Sequence, residues 1–453
     1  MKADHADHLL ELAQSIVKQA QAAGASDAEC TIAEGEEFSA NVRMRELENL
    51  KEAGSRGAGL RILVGRHTGA SYTSDLSPEG VALLVKSALE LADITTEDPH
   101  AGLPDPEEFG ALAGDLGLYS SEVVGLDTAF KIEIAKRAEA AALDTDPRIS
   151  NSDGAAFDNY VGRHVFANSR GFAGEYPTSY CTLSTSPVAR DGDSMERDYW
   201  YTMARGFSGL EAPEHVGRTA AARALRRLHA VKVETRKVPV VFEPRTARSL
   251  LDNIFEAVHG MSVYRQESFL AGRLGEKVAA ENVTVIDDGT LPGLFGTSPF
   301  DDEGVASRRT VVIERGVLKS YLLNTYAARK LGMKTTGNAS RGLTGNAGIG
   351  HGNFFLEPGV QTPERIVAGI PDGFYVTELM GFGVNVVTGD YSRGAAGLWI
   401  RNGELAFAVS EVTIAGNLND MLRGIEAIGS DLEFRGSVAA PTIKVEEMTV
   451  GGK

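Results

Sequence analysis

The sequence predicts an α+β fold in two domains: helices on a mixed or antiparallel sheet in the N-terminal half, and a strand-rich antiparallel domain with a few helices in the C-terminal half. The first reason is length, since 453 residues exceed what one compact core holds. The second is that helices and strands occur in separate runs rather than in the alternation of a parallel sheet. The third is a buried-looking strand at 237–244, where the pattern changes. We therefore predict domains at 1–235 and 236–453.

The N-terminal half combines amphipathic helices with strand-like segments. Residues 7–23 place Leu9, Leu12 and Ile16 at helical spacing, and Gly24 ends the run. Residues 98–118 are rich in Pro, Gly and Asp, which predicts a long exposed connection. The remaining predicted elements are helices over 77–92, 130–143 and 215–228, strands over 28–54 and 59–65, and short strands within 148–210.

Hairpins dominate the predicted C-terminal half. Alternating apolar runs meet at Arg315-Gly316 and again at Asn402-Gly403, which is the strongest short turn signal in the chain. Residues 337–352 carry six glycines in sixteen positions. They lack the lysine of a Walker motif and the strand–helix setting of a dinucleotide fingerprint, which argues against a phosphate site. A flexible loop, or one approached closely by another backbone, is the prediction.

Charge and cysteine content argue against several classes of function. Lys and Arg number 45 and Asp and Glu 62, a net charge of −17, which is the reverse of a duplex-binding protein. We interpret the basic cluster Arg223, Arg226 and Arg227 as a solvated helix face. Cys30 and Cys181 alone build neither a disulfide framework nor a thiolate metal site. With no signal peptide and no membrane-length apolar run, we expect a cytoplasmic protein that binds neither nucleic acid nor membrane.

The segment most informative for function is a helix predicted over 245–259, whose last residues read NIFEAVH. At helical spacing, Phe255 falls on the flank of the apolar stripe and Glu256 on the polar side. A catalytic zinc takes about three protein ligands, and the neighbouring sequence does not supply them. His259 in the last turn is explained by the negative end of the helix dipole. Glu256-x-x-His259 as a ligand pair, or Glu256 as a general base, remain alternatives.

Five stretches of the C-terminal half resemble the TldD/PmbA family, and its PmbA (TldE) branch in particular. The resemblance covers roughly residues 240–453, and the N-terminal half fits more loosely. The matching stretches are EAVHG, NVTVIDDGTLPGLFGTSPFDDEG, RGVLKSYLLNTYAARKLGMKTTGNA, IAGNLNDMLRGIEAIGSDLEF and APTIKVEEMTVGGK.

This resemblance implies a metal site that the chain has lost. Members of the TldD branch carry His-Glu-x-x-x-His in this helix, and a downstream cysteine completes the site. Here Phe255 replaces the first histidine, Glu256 matches the glutamate, Gly260 replaces the second histidine, and His259 is one residue out of register. No cysteine follows Cys181. The resemblance therefore implies a degenerate helix, with no catalytic residue, metal or other cofactor on this chain.

For function, the resemblance implies the metal-free subunit of a cytoplasmic two-subunit metalloprotease. A TldD-like partner would hold zinc and cut unfolded or leader peptides, and this chain would complete the enclosed chamber. An alternative from another class is a homodimeric, non-catalytic peptide-binding or assembly protein, in which an extended peptide adds to an exposed strand edge of the C-terminal domain. The sequence leaves open the natural substrate, the choice between hetero- and homodimer and the peptide-contacting residues.

Overall fold

A computed structural model describes residues 8–452, and its N-terminal half is built on long antiparallel strands. These strands lie side by side in the order β3-β2-β1-β4-β5-β6, and β7 also pairs with β5. Their bounds are β1 Asp27–Arg43, β2 Glu46–Val64, β3 His67–Thr73, β4 Ile149–Asn168, β5 Ala173–Asp191, β6 Ser194–Arg197 and β7 Trp200–Ala204. The prediction of short strands within 148–210 was wrong for β4 and β5, because the alternation of buried and less buried side chains in β5 continues without interruption.

Helices cover one face of this sheet. Side chains at even-numbered positions of β1, such as Ile32 and Ala40, pack against them, because successive side chains of a strand point to opposite faces. Ser77 caps one helix through its side chain, with Pro78 at the first position. Among the described residues, no helix has the length and apolar character that crossing a membrane requires. The helices are α1 Leu9–Ala22, α2 Pro78–Ile94, α3 Thr128–Leu143 and α4 Pro213–Leu225.

The C-terminal half is strand-rich, as predicted. Its strands are β8 Arg236–Phe242, β9 Val285–Asp288, β10 Arg309–Glu314, β11 Val317–Leu318, β12 Ala339–Ser340, β13 Gly348–Ile349, β14 Asn353–Leu356, β15 Asp372–Met380, β16 Asp390–Arg401, β17 Glu404–Asn417, β18 Ile425–Ile428, β19 Val438–Ala439 and β20 Ile443–Gly451. Its helices are α5 Pro244–Val258, α6 Gly260–Tyr264, α7 Thr325–Leu331, α8 Pro363–Ala368 and α9 Leu418–Arg423. The two-domain α+β fold is thereby confirmed, whereas the exact boundary at residue 235 stays a prediction.

The C-terminal strands form a closed ring and a second sheet. The ring runs β17-β16-β15-β8-β20 and closes where β20 pairs with β17. The second sheet has the order β11-β10-β9-β14-β19. Most pairs are antiparallel, but β8 with β15 and β14 with β19 are parallel. One hydrophobic core joins the ring, the second sheet and α5.

Both predicted hairpin turns are confirmed. Arg315 and Gly316 have φ of 48° and 82° between β10 and β11, and Asn402 and Gly403 have φ of 53° and 80° between β16 and β17. Positive φ at both central residues is the backbone of a type I′ turn, whose twist matches that of the flanking strands. The residue types at the two turns therefore predicted both connections correctly.

The arginine cluster on α4 is not the solvated helix face that the sequence predicted. Arg223 is only 7% exposed, and its guanidinium donates to the Glu243 carboxylate at 2.5 and 3.1 Å. Arg226 donates to the same carboxylate at 3.2 Å, and Arg227 lies 3.4 Å from Glu196. The prediction failed because Glu243, the residue between β8 and α5, comes from a different part of the chain. The cluster therefore joins the N-terminal helices to the C-terminal domain.

The two predicted loops also contribute to the junction between the domains. Residues 98–118 are irregular but not wholly exposed, since Leu103 and Leu118 are buried. In 337–352, the prediction of a close backbone approach is confirmed, because a Cβ on Gly59 would lie 2.0 Å from the Leu343 carbonyl oxygen. Arg341 of this loop reaches the buried Glu29 of β1 at 2.5 Å.

An aromatic cluster completes the junction. Phe300, from the C-terminal half, is 3% exposed. Its ring meets those of Phe172 and Tyr176 edge-on, at centroid distances of 5.0 and 5.5 Å, and lies 6.2 Å from His164. Because such edge-on pairs add to the burial of apolar area, Phe300 is a principal contact between the two domains.

We therefore expect Phe300→Ala to lower the free energy of unfolding by about 3–4 kcal/mol, through lost burial and the cavity left behind. The fully exposed Phe382 provides a matched control, and Phe382→Ala should change stability by less than about 0.5 kcal/mol. Thermal and urea unfolding of both variants would measure the difference. Equal stability of the two variants would contradict the role given to Phe300.

Candidate functional site

The candidate site lies at the end of α5, the helix for which the sequence predicted lost metal ligands. Pro244 occupies the first position, where its missing N–H is harmless. The helix contacts the ring through β8 and β15, and the second sheet through β14 and β19. Its buried stripe consists of Thr246, Ala247, Leu250, Leu251, Ile254, Ala257 and Val258. The apolar periodicity thus predicted correctly which face of the helix is buried.

The helix ends before the predicted residue 259. His259 leaves the helical conformation, with φ −62° and ψ 120°, and Gly260 begins α6 instead of ending α5. The cause is pairing with a neighbouring segment: the Gly260 amide donates to the Leu322 carbonyl, and the Leu322 amide to the Val258 carbonyl, both at 3.0 Å. His259 is therefore not the last-turn residue that the sequence predicted.

Phe255 occupies the position of the first histidine in the TldD-branch motif. Its half-buried ring meets the His351 ring edge-on at a centroid distance of 4.8 Å, with His259 at 5.9 Å and Phe354 at 6.0 Å. Glu256 is exposed on the polar side of the helix, as predicted. A phenyl ring offers no metal ligand, and here it is held by packing against the core.

Gly260 occupies the position of the second histidine. It is buried, and a Cβ added to it would lie 2.5 Å from Leu323 Cδ2 and 3.1 Å from the Leu322 carbonyl oxygen. Distances this short do not accommodate a side chain unless the neighbouring segment moves. The segment that pairs with the end of α5 therefore also crowds the second ligand position.

His259 retains one potential ligand atom. Its Nδ1 is buried and has no hydrogen-bond partner within residues 8–452. Burial lowers the pKa of His259, although Glu256 acts in the opposite direction, so the neutral imidazole is favoured. A single imidazole does not make a tetrahedral zinc site.

The remaining motif position, a cysteine, has no counterpart near the helix. Cys30 and Cys181 lie buried in the N-terminal sheet, and burial raises the pKa of both thiols to about 12, away from the thiolate form that binds metal. Over the part of the chain that the structure describes, no group of three or more His, Cys, Asp and Glu residues is arranged to hold a metal ion. The residues present at this helix do not fit the zinc of the TldD branch.

A polar cavity of about 220 Å³ adjoins the helix through His351, which lines the cavity and contacts Phe255. Asp287 of β9 is 3% exposed, and its Oδ2 accepts a hydrogen bond from Asn338 at 2.7 Å. Its Oδ1 is buried without a hydrogen-bond partner in the described chain. Burial raises the pKa of Asp287 to about 6, in spite of the Asn338 side chain, His351 and the Gly352 backbone amide, which lower it.

The sequence did not single out Asp287, Asn338 and His351. A signal was present in the stretch VTVIDDG, where two carboxylates directly follow an apolar strand. Asn338 and His351 belong to the glycine-rich segment 337–352, which was interpreted only as a loop. Asp287, Asn338 and His351 come together through contacts between β9 and that segment. A local sequence pattern does not predict such contacts.

Family models match almost the whole chain. They are described as PmbA/TldA metallopeptidase domain 1 for residues 28–92, the central domain for 123–228 and the C-terminal domain for 235–452. The chain therefore belongs to the PmbA/TldD metallopeptidase family, and the relatives that follow place it in the PmbA branch.

Named relatives cover nearly the full length. The metalloprotease PmbA of Escherichia coli O157:H7 is 39% identical over 95% of this chain and 94% of its own. A PmbA homologue of Haemophilus influenzae, also described as a metalloprotease, is 36% identical over 98% and 96%.

Solved structures show the same fold. A Bacteroides thetaiotaomicron protein described as a putative modulator of DNA gyrase superposes with a TM-score of 0.91, at 28% identity over 99% of both chains. TldE of Thermococcus kodakarensis superposes with a TM-score of 0.88, at 22% identity over 97% of this chain and 100% of its own. At that identity the second likeness concerns the fold alone.

The closed position at Gly260 predicts a steric penalty. We expect Gly260→Ala to lower the free energy of unfolding by about 1–3 kcal/mol, as overpacking of a core does. Gly342 is a matched control, because a Cβ there meets no described atom within 4 Å. Gly342→Ala should leave stability unchanged or raise it by up to about 1 kcal/mol. Urea unfolding of both variants measures the contrast, and a tolerated Gly260→Ala would mean that the position is open.

The buried Asp287 predicts a pH-dependent stability. Its pKa rises from 3.8 to about 6 on folding, so the folded state binds the proton more tightly than the unfolded chain. Its contribution is fully present below about pH 4, and is lost as pH rises through about 6, by at most about 3 kcal/mol. Asp287→Asn should therefore gain stability relative to the parent chain between pH 4 and 7. Unfolding measured across that range checks this, and a pH-independent difference would contradict it.

Proposed function

We propose that this chain is the PmbA/TldE-type subunit of a cytoplasmic two-subunit metalloprotease. In this proposal it has no metal site of its own, and a TldD-like partner holds the zinc. The partner cuts unfolded or leader peptides, and this chain completes the chamber around them. The observation that carries the proposal is the crowded position at Gly260, where an added Cβ would lie 2.5 Å from Leu323 Cδ2 and 3.1 Å from the Leu322 carbonyl oxygen.

Further support comes from Phe255 and Glu256. The Phe255 ring packs against His351 and Phe354. The side chain at the first ligand position therefore contributes to packing and not to metal binding. Glu256 matches the glutamate that acts as general base in zinc peptidases, but without a metal-bound water a carboxylate there has nothing to activate. The name of two relatives, metalloprotease PmbA, supports a role in proteolysis.

A second candidate is a homodimeric, non-catalytic peptide-binding protein, and one observation favours it. Residues 46–56 of β2 are almost all exposed and pair only with β1 among the described residues, since β3 begins its pairing at Ala58. Such an unpaired edge can accept an extended peptide as an added strand. This edge belongs to the N-terminal sheet, whereas the C-terminal ring closes on itself.

The deciding experiment combines metal analysis with reconstitution. We expect the purified chain to contain no stoichiometric zinc, to cleave no unfolded peptide alone, and to support cleavage when a TldD-like subunit is added. Glu256→Gln should leave assembly and cleavage intact, whereas the same change in the partner's His-Glu-x-x-x-His helix should abolish cleavage.

Two results would contradict this proposal. One is a tightly held zinc on this chain alone. The other is loss of cleavage by Glu256→Gln in a complex that still assembles, because the carboxylate would then act in the reaction. A stable homodimer that binds peptides and ignores the TldD-like subunit would favour the second candidate, and light scattering would detect it.

A further inference from the structure

The polar cavity beside α5 combines one unsatisfied carboxylate with a few aromatic side chains. It lies where the domains meet, since Tyr176 comes from the N-terminal sheet and Phe295 and Phe300 from the C-terminal half. Hydroxyl groups of Ser298 and Ser307 also line it, and they lie 3.0 Å from each other. Asp287 contributes the oxygen that has no hydrogen-bond partner in the described chain.

We propose that this cavity binds a primary ammonium group, with Asp287 as its counter-charge and the aromatic rings against its alkyl chain. This site is distinct from the proposed role as a protease subunit and does not depend on it. Buried charges in proteins are normally paired, and no Lys or Arg of residues 8–452 forms an ion pair with Asp287. Arg308, which also lines the cavity, is exposed and makes no such contact.

The other acidic residues of the cavity are already engaged. Asp301 accepts hydrogen bonds from the backbone amides of Glu303, Val305 and Ala339. Asp302 accepts one from the Arg341 amide. The other Asp302 oxygen, Oδ1, lies 3.3 Å from His164 Nε2. Asp287 Oδ1 is therefore the carboxylate oxygen, among the described lining residues, that is buried without a hydrogen bond.

The small number of free acceptor atoms in the cavity favours an ammonium ion over a metal ion. Calcium takes six to eight oxygen ligands, more than one free carboxylate oxygen and two hydroxyls provide. An ammonium group donates three hydrogen bonds, which matches those acceptors in number. Tyr176 and Phe300 also line the cavity, and aromatic rings attract organic cations.

The cavity volume limits the ligand to a short chain. About 220 Å³ accommodates the ammonium group and a few methylene groups of an amine, and the rest of a longer ligand would lie outside the cavity. The same chemistry occurs at the N-terminus of a peptide and at the end of a lysine side chain. The shared group is the primary ammonium, and the experiment separates the two sources.

The test measures binding to the full chain at pH 7.5 by calorimetry. The probe is n-butylammonium, and n-butanol is its neutral counterpart. We expect saturable 1:1 binding of the amine and none of the alcohol. Asp287→Asn should weaken amine binding at least tenfold. It keeps an oxygen for the hydrogen bond from Asn338, and its melting temperature will report that it folds. As a control, the Glu90→Gln variant, which changes an exposed carboxylate on α2, should bind the amine as the parent chain does.

Peptides then identify the source of the amine. Gly-Ala-Ala is compared with its N-acetylated form and with an N-acetylated peptide that carries one lysine. Binding of either free amine, with loss in Asp287→Asn, supports the site and names the group it recognises. The proposal is overturned if the parent chain binds no amine, if Asp287→Asn binds equally well, or if alcohol and amine bind alike. None of these outcomes involves zinc or a partner subunit, so they are independent of the reconstitution experiment.

Discussion

The arrangement of this protein depends on the buried ion pairs between the Glu243 carboxylate and two arginines of α4. Glu243 lies between β8 and α5, is almost fully buried, and is held by Arg223 and Arg226 of α4. One side chain thus connects the last N-terminal helix, the first strand of the ring and the candidate-site helix. Removing one member of a buried ion pair leaves a charge without compensation, at a cost of about 3–5 kcal/mol. The position of α5 relative to the N-terminal sheet is therefore fixed at its first turn.

Properties that depend on local periodicity were predictable from the sequence. The buried face of α5, the exposed position of Glu256 and the turns at Arg315-Gly316 and Asn402-Gly403 all follow from spacing and turn chemistry. The solvated interpretation of the α4 arginines failed because their partner, Glu243, belongs to another element. The early end of α5 depends on Leu322, some sixty residues away in sequence. Burial, and with it the environment of each charge, is set by such distant contacts.

The candidate site shows the same division between local and distant causes. That Phe255 cannot ligate a metal is evident from its chemistry. That Gly260 is crowded required knowledge of Leu322 and Leu323, because the close contacts come from the Leu323 side chain and the Leu322 carbonyl oxygen. The α5 helix has therefore become part of the interior, where packing constrains residues that are ligand positions in the TldD branch. Asp287 differs, since packing leaves one of its oxygens unsatisfied.

The closed ring of the C-terminal domain has a consequence for synthesis on the ribosome. β8 pairs with β20 as well as with β15. Residues 236–242 therefore cannot complete their strand pairing until residues 443–450 have been synthesised. The N-terminal sheet needs nothing beyond residue 204 for its own pairing. During translation the first sheet can form while the core of the second domain is still open, and pairing across such a long sequence separation is slow. Nascent chains thus expose the apolar strand β8 for most of the time that the second half takes to emerge.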